Sequence, residues 1–509
     1  SSAASDVYKR QYSPYTNQVF LTQLSAEDCG VFQEKLFKFP GFYIQRRTIR
    51  QYNYNSGAHI LGDIGEVSKQ EMEDDEYYLP GDFIGKLGVE RSYEKQLRGE
   101  KGVEVLLRDA HGRIQGNYME GKFDKAPVPG KNLTLSLDIE LQMLGERLLE
   151  GKIGSIVAIE PSTGEVLCLV SSPTYDPSLM IGRDRGKNHL AMSKDPWKPL
   201  LNRAIMGAYP PGSTFKTTQA LTFLQEGIIN TGTMYPCSGG FSYRGLHVGC
   251  HAHPSPLSLI PAIATSCNGY FCWGLYYMIG ARQKYGSVQK AMNTWRDYMV
   301  SMGFGYQLGI DLPGEKRGMI PNAQYYDKAY RRSWNGLTII SISIGQGEVT
   351  ATPLQIANLG ATIANRGYFV TPHVVKEIEG ESIDSIYTTR RYTKVDKGHY
   401  EEVVQGMRSA VLGGTCRTAN IPELEICGKT GTAQNHGKDH SAFMGFAPMN
   451  NPKIAIAVYV ENGGWGATYG VPIGKLMIEK YLTGKLTAED EALATDIQNR
   501  RIDYGLQER

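Results

Sequence analysis

The strongest constraint on this chain's fold is a set of short apolar runs placed far apart in sequence. Residues 155–160 (SIVAIE) and 166–171 (VLCLVS) flank a turn at 161–164 and predict a β-hairpin. Far downstream, residues 425–429 and 453–460 (KIAIAVYV) predict two further strands, with 442–447 between them in the same sheet. Runs this apolar suit central strands covered on both faces. The stretch from about 200 to 420 is dominated by helical patterns and Gly/Pro-rich loops. Strands from the start and end of this region must therefore meet in one antiparallel sheet around a helical insertion. That is an α+β architecture with helices flanking a central sheet.

At 509 residues, two or more domains are expected. Residues 12–150 are charge-rich and mixed in pattern. They include a strand-like alternation at 42–50 (FYIQRRTIR) and a linker-like stretch at 121–131 (GKFDKAPVPGK). A strand at 132–137 follows, and then Asp138 as N-cap of a helix over 139–149. The expected division is an elongated mixed N-terminal pedestal over 12–150 and a main domain over 151–485. A polar tail at 486–509 would form a surface helix or fray. The net charge of +2 offers no footing for nucleic acid. No apolar run approaches the roughly 18 residues needed to span a membrane. Residues 1–11 (SSAASDVYKRQ) read as adapter sequence, so a signal anchor is expected upstream of what is given.

Chemistry concentrates at residues 209–220 (YPPGSTFKTTQA). Pro210, Pro211 and Gly212 break the chain, which places Ser213 at a helix start where backbone N–H groups favour developing negative charge. Lys216 follows at i+3 on the same helical face. A serine needs a base to become a nucleophile, and a lysine serves only where its surroundings populate the neutral amine. An S-x-x-K tetrapeptide alone more often marks a capping serine beside a solvated lysine. Two further segments change that balance: Ser266-Cys267-Asn268 after a helical run, and Lys429-Thr430-Gly431-Thr432 on an apolar strand. Ser266 and Asn268 suit a proton relay, and Lys429 is a second cation able to keep Lys216 neutral. Thr430 and Thr432 offer hydroxyls to a substrate carboxylate, while Gly431 lets the strand backbone approach closely.

With these three motifs in order, the chain resembles the class B penicillin-binding proteins. The segments at 88–102, 133–142, 156–177 and 342–357 carry the likeness further, so that it covers roughly residues 40 to 485. The resemblance implies a penicilloyl-serine transferase (β-lactamase-like) domain. In it Ser213 would attack a stem-peptide D-Ala-D-Ala, with the N–H groups of Ser213 and Thr432 as the oxyanion hole and β-lactams as covalent inhibitors. The segment 57–67 and the lack of an appended C-terminal repeat domain point to the elongation type (penicillin-binding protein 2-like). That type implies work in cell-shape maintenance at the periplasmic face of the inner membrane. Its expected partners are a glycan-polymerising membrane protein and elongation-complex scaffold proteins. A D,D-carboxypeptidase or β-lactam hydrolase on the same scaffold is an alternative, as is a non-catalytic β-lactam sensor or scaffold.

Four of the eight cysteines crowd one region, at Cys237, Cys250, Cys267 and Cys272. Cys250 and His253 are spaced to chelate one ion. Cys237 and Cys267 would complete a Cys3His set suited to a structural Zn2+, with His251 as an alternative to His253. A Cys237–Cys250 disulfide or simple buried thiols remain open readings. Some elongation-type relatives carry zinc beside this motif, which the resemblance brings in support.

Overall fold

The computed structural model describes residues 19–111 and 113–506, so the adapter-like residues 1–11 lie outside the described part. The chain forms two compact units. One comprises the described residues up to Asn53 with Gly62–Asn132 and Ser178–His189; the other comprises Tyr54–Leu61, Leu133–Pro177 and the chain from Leu190 onward. The division between the two units falls at 132/133, where the strand Leu133–Leu135 pairs with Val375–Ile378 of the second unit.

The first unit is built from short elements. Ile64–Glu66 pairs antiparallel with Phe83–Gly85, and Leu106–Arg108 with Ile114–Asn117. The alternating stretch at 42–50 forms no strand. Its arginines bind carboxylates instead, Arg47 with Asp82 at 2.9 Å and Arg50 with Glu90, so ion pairing rather than a sheet face sets the pattern. The linker-like stretch is tied down too, with isolated bridges from Val128 to Glu100 and from Lys125 to Val103.

The second unit holds the sheet. Helix α1 (Ile139–Leu148) is capped by Asp138, whose carboxylate accepts from the N–H of Leu141. Strands β1 (Gly154–Ile159) and β2 (Val166–Ser172) form the expected hairpin. Helix α2 (Lys216–Gln225), hairpin β3–β4 (Gly240–Tyr243 and Leu246–Gly249), α3 (Leu259–Ala264) and α4 (Asn268–Gly280) open the helical insertion. Helices α5 (Pro353–Ala364) and α6 (Lys397–Gly413) follow. Strands β5 (Cys427–Ala433), β6 (His440–Ala447) and β7 (Ile454–Val460) complete a five-stranded antiparallel sheet of order β5-β6-β7-β1-β2.

Every residue of β1, β2 and β7 is buried, which explains why these strands read as unbroken apolar runs despite antiparallel pairing. On one face, Ile156, Ile456 and Val458 pack with Leu141, Leu144 and Leu148 of α1 and with Leu476 and Met477 of α7 (Gly470–Thr483). Helix α5 covers the other face, lying over β1, β6 and β7. Strand β5 starts two residues later than the sequence suggested and runs on to Ala433. Glu425 sits in the left-handed region (φ 46°), where strand geometry cannot start, and the K-T-G residues all pair with β6.

The tail is not a loose surface segment. Helix α8 (Ala488–Asn499), capped by Thr487, buries Ala494 and Ile497 in the core cluster of the sheet. Beyond it the Tyr504 hydroxyl donates to Glu461 O at 2.8 Å. No helix among the described residues is long and apolar enough to cross a membrane.

Candidate active site

The Ser213 turn is set by its neighbours. Gly212 adopts φ +62°, and a Cβ there would lie 2.9 Å from Thr432 O, so only glycine lets this turn press against β5. Its N–H donates to Gly345 O at 3.0 Å. Residues Gly212–Phe215 form a 3-10 turn that runs directly into α2. Ser213 is therefore half-buried at a helix start, as its sequence context requires. Its hydroxyl has no hydrogen-bond partner among the described residues.

Lys216, the first residue of α2, is fully buried. Its Nζ donates to Ser266 O (2.8 Å), Ser266 Oγ (3.1 Å) and Asn268 Oδ1 (2.6 Å). All three acceptors are neutral. Burial brings the amine's pKa down to about 8, opposed by the nearby thiols of Cys267 and Cys250.

Ser266 owes its place to the end of α3. The N–H of Ser266 donates to Ile263 O and that of Cys267 to Ala262 O, closing a Schellman motif. The motif needs a left-handed residue after the cap, ordinarily glycine; here Ser266 takes it with φ +57°. A serine in that conformation costs about 1 kcal/mol relative to glycine. What it gains is a hydroxyl that two buried lysines share.

The second lysine is Lys429, fully buried on β5, with Nζ 2.7 Å from Ser266 Oγ and 3.1 Å from Thr430 O. Burial and the neighbouring Lys216 hold its pKa well below the ordinary lysine range. Asn268 opens α4 and is fixed twice more: its Nδ2 donates to Gly249 O at 2.8 Å, and its N–H to Cys250 Sγ at 3.3 Å.

Gly431 does make room for a close approach, and the group it admits is the nucleophile turn. A Cβ there would meet Thr214 Cγ2 at 3.1 Å and Ala442 Cβ at 3.0 Å. The threonine hydroxyls differ. Thr430 donates to Thr415 Oγ1 at 2.9 Å, whereas Thr432 Oγ1 accepts from the N–H of Gly466 at 3.3 Å and keeps its own proton free. Thr415 and the Gly466 loop were not legible in the sequence. The Gly413-Gly414 pair before Thr415 and the glycines around Trp465 are the signals that mark close backbone approaches there.

The cysteine cluster sits directly behind this relay. One donor atom from each of Cys237, Cys250, His253 and Cys267 lies within 4.8 Å of every other. The Nδ1 of His253 is 2.8 Å from Pro254 O, which takes the ring proton on that side and leaves Nε2 as a lone-pair donor 3.4 Å from Cys250 Sγ. Backbone N–H groups face the sulfurs, from Asn268 onto Cys250 and from Tyr270 onto Cys267 at 3.3 Å. Its bond to Cys267, with help from that N–H, holds the Cys250 thiol well below its ordinary pKa, while the same bond and burial push Cys267 up. His251 lies farther off, at 3.9 Å from Cys250 Sγ. All eight cysteines are free thiols, and Cys272 instead packs beside the Ser343 hydroxyl. The donor set suits a closed tetrahedral ion.

A five-stranded antiparallel sheet carrying a helix-start serine, two buried lysines and an S-x-N loop defines an acyl-transferring penicillin-binding domain. The family profile of the penicillin binding protein transpeptidase domain matches residues 154–479, and that of the Penicillin-binding Protein dimerisation domain matches residues 2–135. The chain belongs to the penicillin-binding protein transpeptidase family, and within it to the elongation-type, penicillin-binding protein 2-like members. It is 36% identical over 479 residues to the peptidoglycan D,D-transpeptidase MrdA of Acinetobacter baumannii, covering 87% of this chain and 68% of that one. It is 32% identical to PBP2 of Pseudomonas aeruginosa solved in complex with WCK 5153 (TM-score 0.74; 87% and 93% of the two chains). PBP2 of Helicobacter pylori, solved in complex with MreC, is 27% identical (TM-score 0.77; 91% and 84%).

Proposed function

We propose that this protein is a peptidoglycan D,D-transpeptidase that cross-links stem peptides through an acyl-enzyme on Ser213 and works in cell elongation. The observation that carries the assignment of roles is the burial of Lys216 beside the Ser213 turn with only neutral acceptors around its amine. Such a lysine holds roughly a tenth of its population neutral at pH 7, far more than an ordinary lysine, and can take a proton.

In the first half-reaction, Ser213 Oγ bonds the carbonyl carbon of the penultimate D-alanine while its proton passes to Lys216 Nζ. The N–H groups of Ser213 and Thr432 hold the developing oxyanion. The C–N bond then breaks, and the terminal D-alanine leaves with a proton returned through Ser266, whose hydroxyl touches both lysines. In the second half-reaction the amine of a neighbouring stem attacks the ester carbonyl and gives up a proton to the same relay. Ser213 Oγ leaves and recovers its proton. Thr430, Gly431 and Thr432 lie along the edge strand where the substrate carboxylate would sit, and Thr432 has the free hydroxyl proton. Lys429 acts from below, through the Ser266 hydroxyl that it shares with Lys216. β-Lactams enter the same path and stop at the ester.

Intact mass after incubation with a penicillin tests this reading. A stable penicilloyl adduct on wild type that is absent from Ser213→Ala is expected; an adduct that persists in Ser213→Ala would reassign the nucleophile.

Cys237, Cys250, His253 and Cys267 are proposed to hold a structural Zn2+, with no step of acyl transfer running through it. When bound, it would cross-link the hairpin, the loop after it and the S-x-N segment. The likeness to a PBP2 solved with MreC supports an elongation-complex scaffold as a partner. A glycan-polymerising membrane protein is proposed as a second partner, at the periplasmic face of the inner membrane. Co-purification of the polymerase with the tagged chain from detergent-solubilised membranes tests that placement; recovery of the chain free of membrane partners would remove it.

A further inference from the structure

Helix α4 presents two unlike faces. Tyr270, Phe271, Leu275, Met278 and Ile279 point into the core, as an amphipathic helix requires. The opposite side should then be polar. Instead it carries Trp273, Tyr276 and Tyr277, none of them fully buried, and Tyr277 is 48% exposed.

These rings join others from neighbouring elements into one aromatic surface. Tyr277 stacks with Trp273 at 5.9 Å and with Tyr235 at 5.6 Å between centroids. Tyr243 at the tip of β3 stands 5.1 Å from Tyr276 and 5.8 Å from Trp273, with the Arg244 guanidinium 5.3 Å from its own ring. Five partly exposed aromatics, three of them on one face of this helix, are more than its folding needs. Such a patch marks a binding surface.

We propose that this face binds the amino-sugar glycan strand from which the reacting stem peptide hangs. The inference rests on the transpeptidase reading and adds a polysaccharide subsite to it. Two arguments select the occupant. The first is chemical. A pyranose ring is apolar on its C–H faces and polar at its rim, and flat aromatic rings edged by phenol hydroxyls and a guanidinium complement both. Trp, Tyr and Arg also anchor protein interfaces, so the choice of a glycan is decided by reach from the catalytic relay.

The second argument is reach. Asn268, in the catalytic relay, is the first residue of α4, so Trp273 and Tyr277 lie about 7.5 and 13.5 Å farther along the helix at 1.5 Å per residue. A stem peptide of four residues spans at most about 14 Å when extended. A peptide whose end lies beside Asn268 thus has the length to bring its sugar onto these rings. Hairpin β3–β4 makes the same link from the other side. Gly249 O at one end accepts from Asn268 Nδ2, and Tyr243 at the other belongs to the aromatic face.

The test titrates the full chain with peptidoglycan glycan strands freed of stem peptides by an amidase, following binding by thermophoresis. Wild type is expected to bind, and Tyr277→Ala to weaken binding at least fivefold, with Tyr277→Trp restoring it. Melting temperatures are read alongside, and Tyr243→Ala on the hairpin carries the test if Tyr277→Ala melts early. Strands that fail to bind wild type, or that bind Tyr277→Ala and Tyr243→Ala as tightly as wild type, overturn the proposal. Penicillin acylation of the same wild-type sample is measured in parallel, so a failed glycan subsite is distinguishable from a failed transpeptidase assignment.

Discussion

The amine of Lys429 lies 2.7 Å from the hydroxyl of Ser266, joining two residues 163 positions apart in the chain. Lys216 reaches the same oxygen from the opposite side. Two buried amines on one hydroxyl cannot both be comfortably charged, and the left-handed backbone of Ser266 is retained to hold that oxygen in place. Ser266→Gly and Ser266→Ala separate the two effects. Both lose the hydroxyl, and both are expected to slow penicillin acylation by about 100-fold. Only glycine relieves the backbone, so Ser266→Gly should be the more stable variant by about 1 kcal/mol. Acylation kinetics and thermal melts check the pair; equal melting of the two variants would remove the strain argument.

The pH dependence of acylation follows from Lys216. With its pKa brought down to about 8, the neutral base grows tenfold per unit as pH rises toward 8 and levels off above it. The second-order rate of penicillin acylation, measured from pH 6 to 9.5, should show that rise and plateau. Lys216→Arg should abolish it, because a guanidinium stays protonated throughout. A flat profile would mean that another group takes the proton.

Most of the sheet and all three motifs were legible in the sequence, because burial on both faces writes continuous apolar runs and because the motif residues need particular neighbours. Ser213 at a helix start follows from Pro210, Pro211 and Gly212, and α1 from Asp138. What did not show was set by partners distant in the chain. The stretch at 42–50 alternates like a strand, yet its arginines answer Asp82 and Glu90. Tail residues Ala494 and Ile497 are too few to announce a core helix, and only α1 and the sheet make them one. Lys429 reads as a second cation beside Lys216, and only folding shows that it is completely buried with its amine on Ser266. Thr415 and Gly466 carry no motif, and their roles arise only when β5 comes between them.

Stability toward acid has a named contributor in His59. Burial drives its pKa from 6.5 down to about 4, while its Nε2 sits 2.7 Å from Pro199 O. The folded pKa is below the unfolded one, so the contribution is present above pH 6.5 and lost as pH falls from 6.5 toward 4. The full loss amounts to about 3 kcal/mol. Denaturant melts of wild type and His59→Gln between pH 7.5 and 4 should converge as the wild type alone loses stability. Parallel curves would assign the acid sensitivity elsewhere.

Metal removal has a readout independent of catalysis. If Cys237, Cys250 and Cys267 bind Zn2+ as thiolates, native mass spectrometry should show one zinc per chain. Chelation should then add Cys250 to the thiols that a reagent reaches, beside the part-exposed Cys29, since the other six cysteines are buried. Cys237→Ser should lose the ion while keeping the Ser213 turn, which is built from residues outside the cluster. A zinc-free native mass together with a Cys250 that reacts before chelation would leave the cluster as free cysteines.

The packing of the nucleophile turn against β5 sets a steric limit that one methyl group can probe. At Gly431 a Cβ would lie 3.0 Å from Ala442 Cβ and 3.1 Å from Thr214 Cγ2, with Pro211 O at 3.4 Å. Ala442 is locked in the middle of β6, so the turn is the side that must give, carrying Ser213 away from the Thr432 N–H. Overpacking of this kind costs about 1–3 kcal/mol, and misplacement of a nucleophile by a fraction of an ångström costs far more in rate than in stability. Gly431→Ala is therefore expected to fold, to melt a few degrees lower, and to acylate at least tenfold more slowly. Wild-type acylation in Gly431→Ala would show that the turn and the strand are not held in fixed relation.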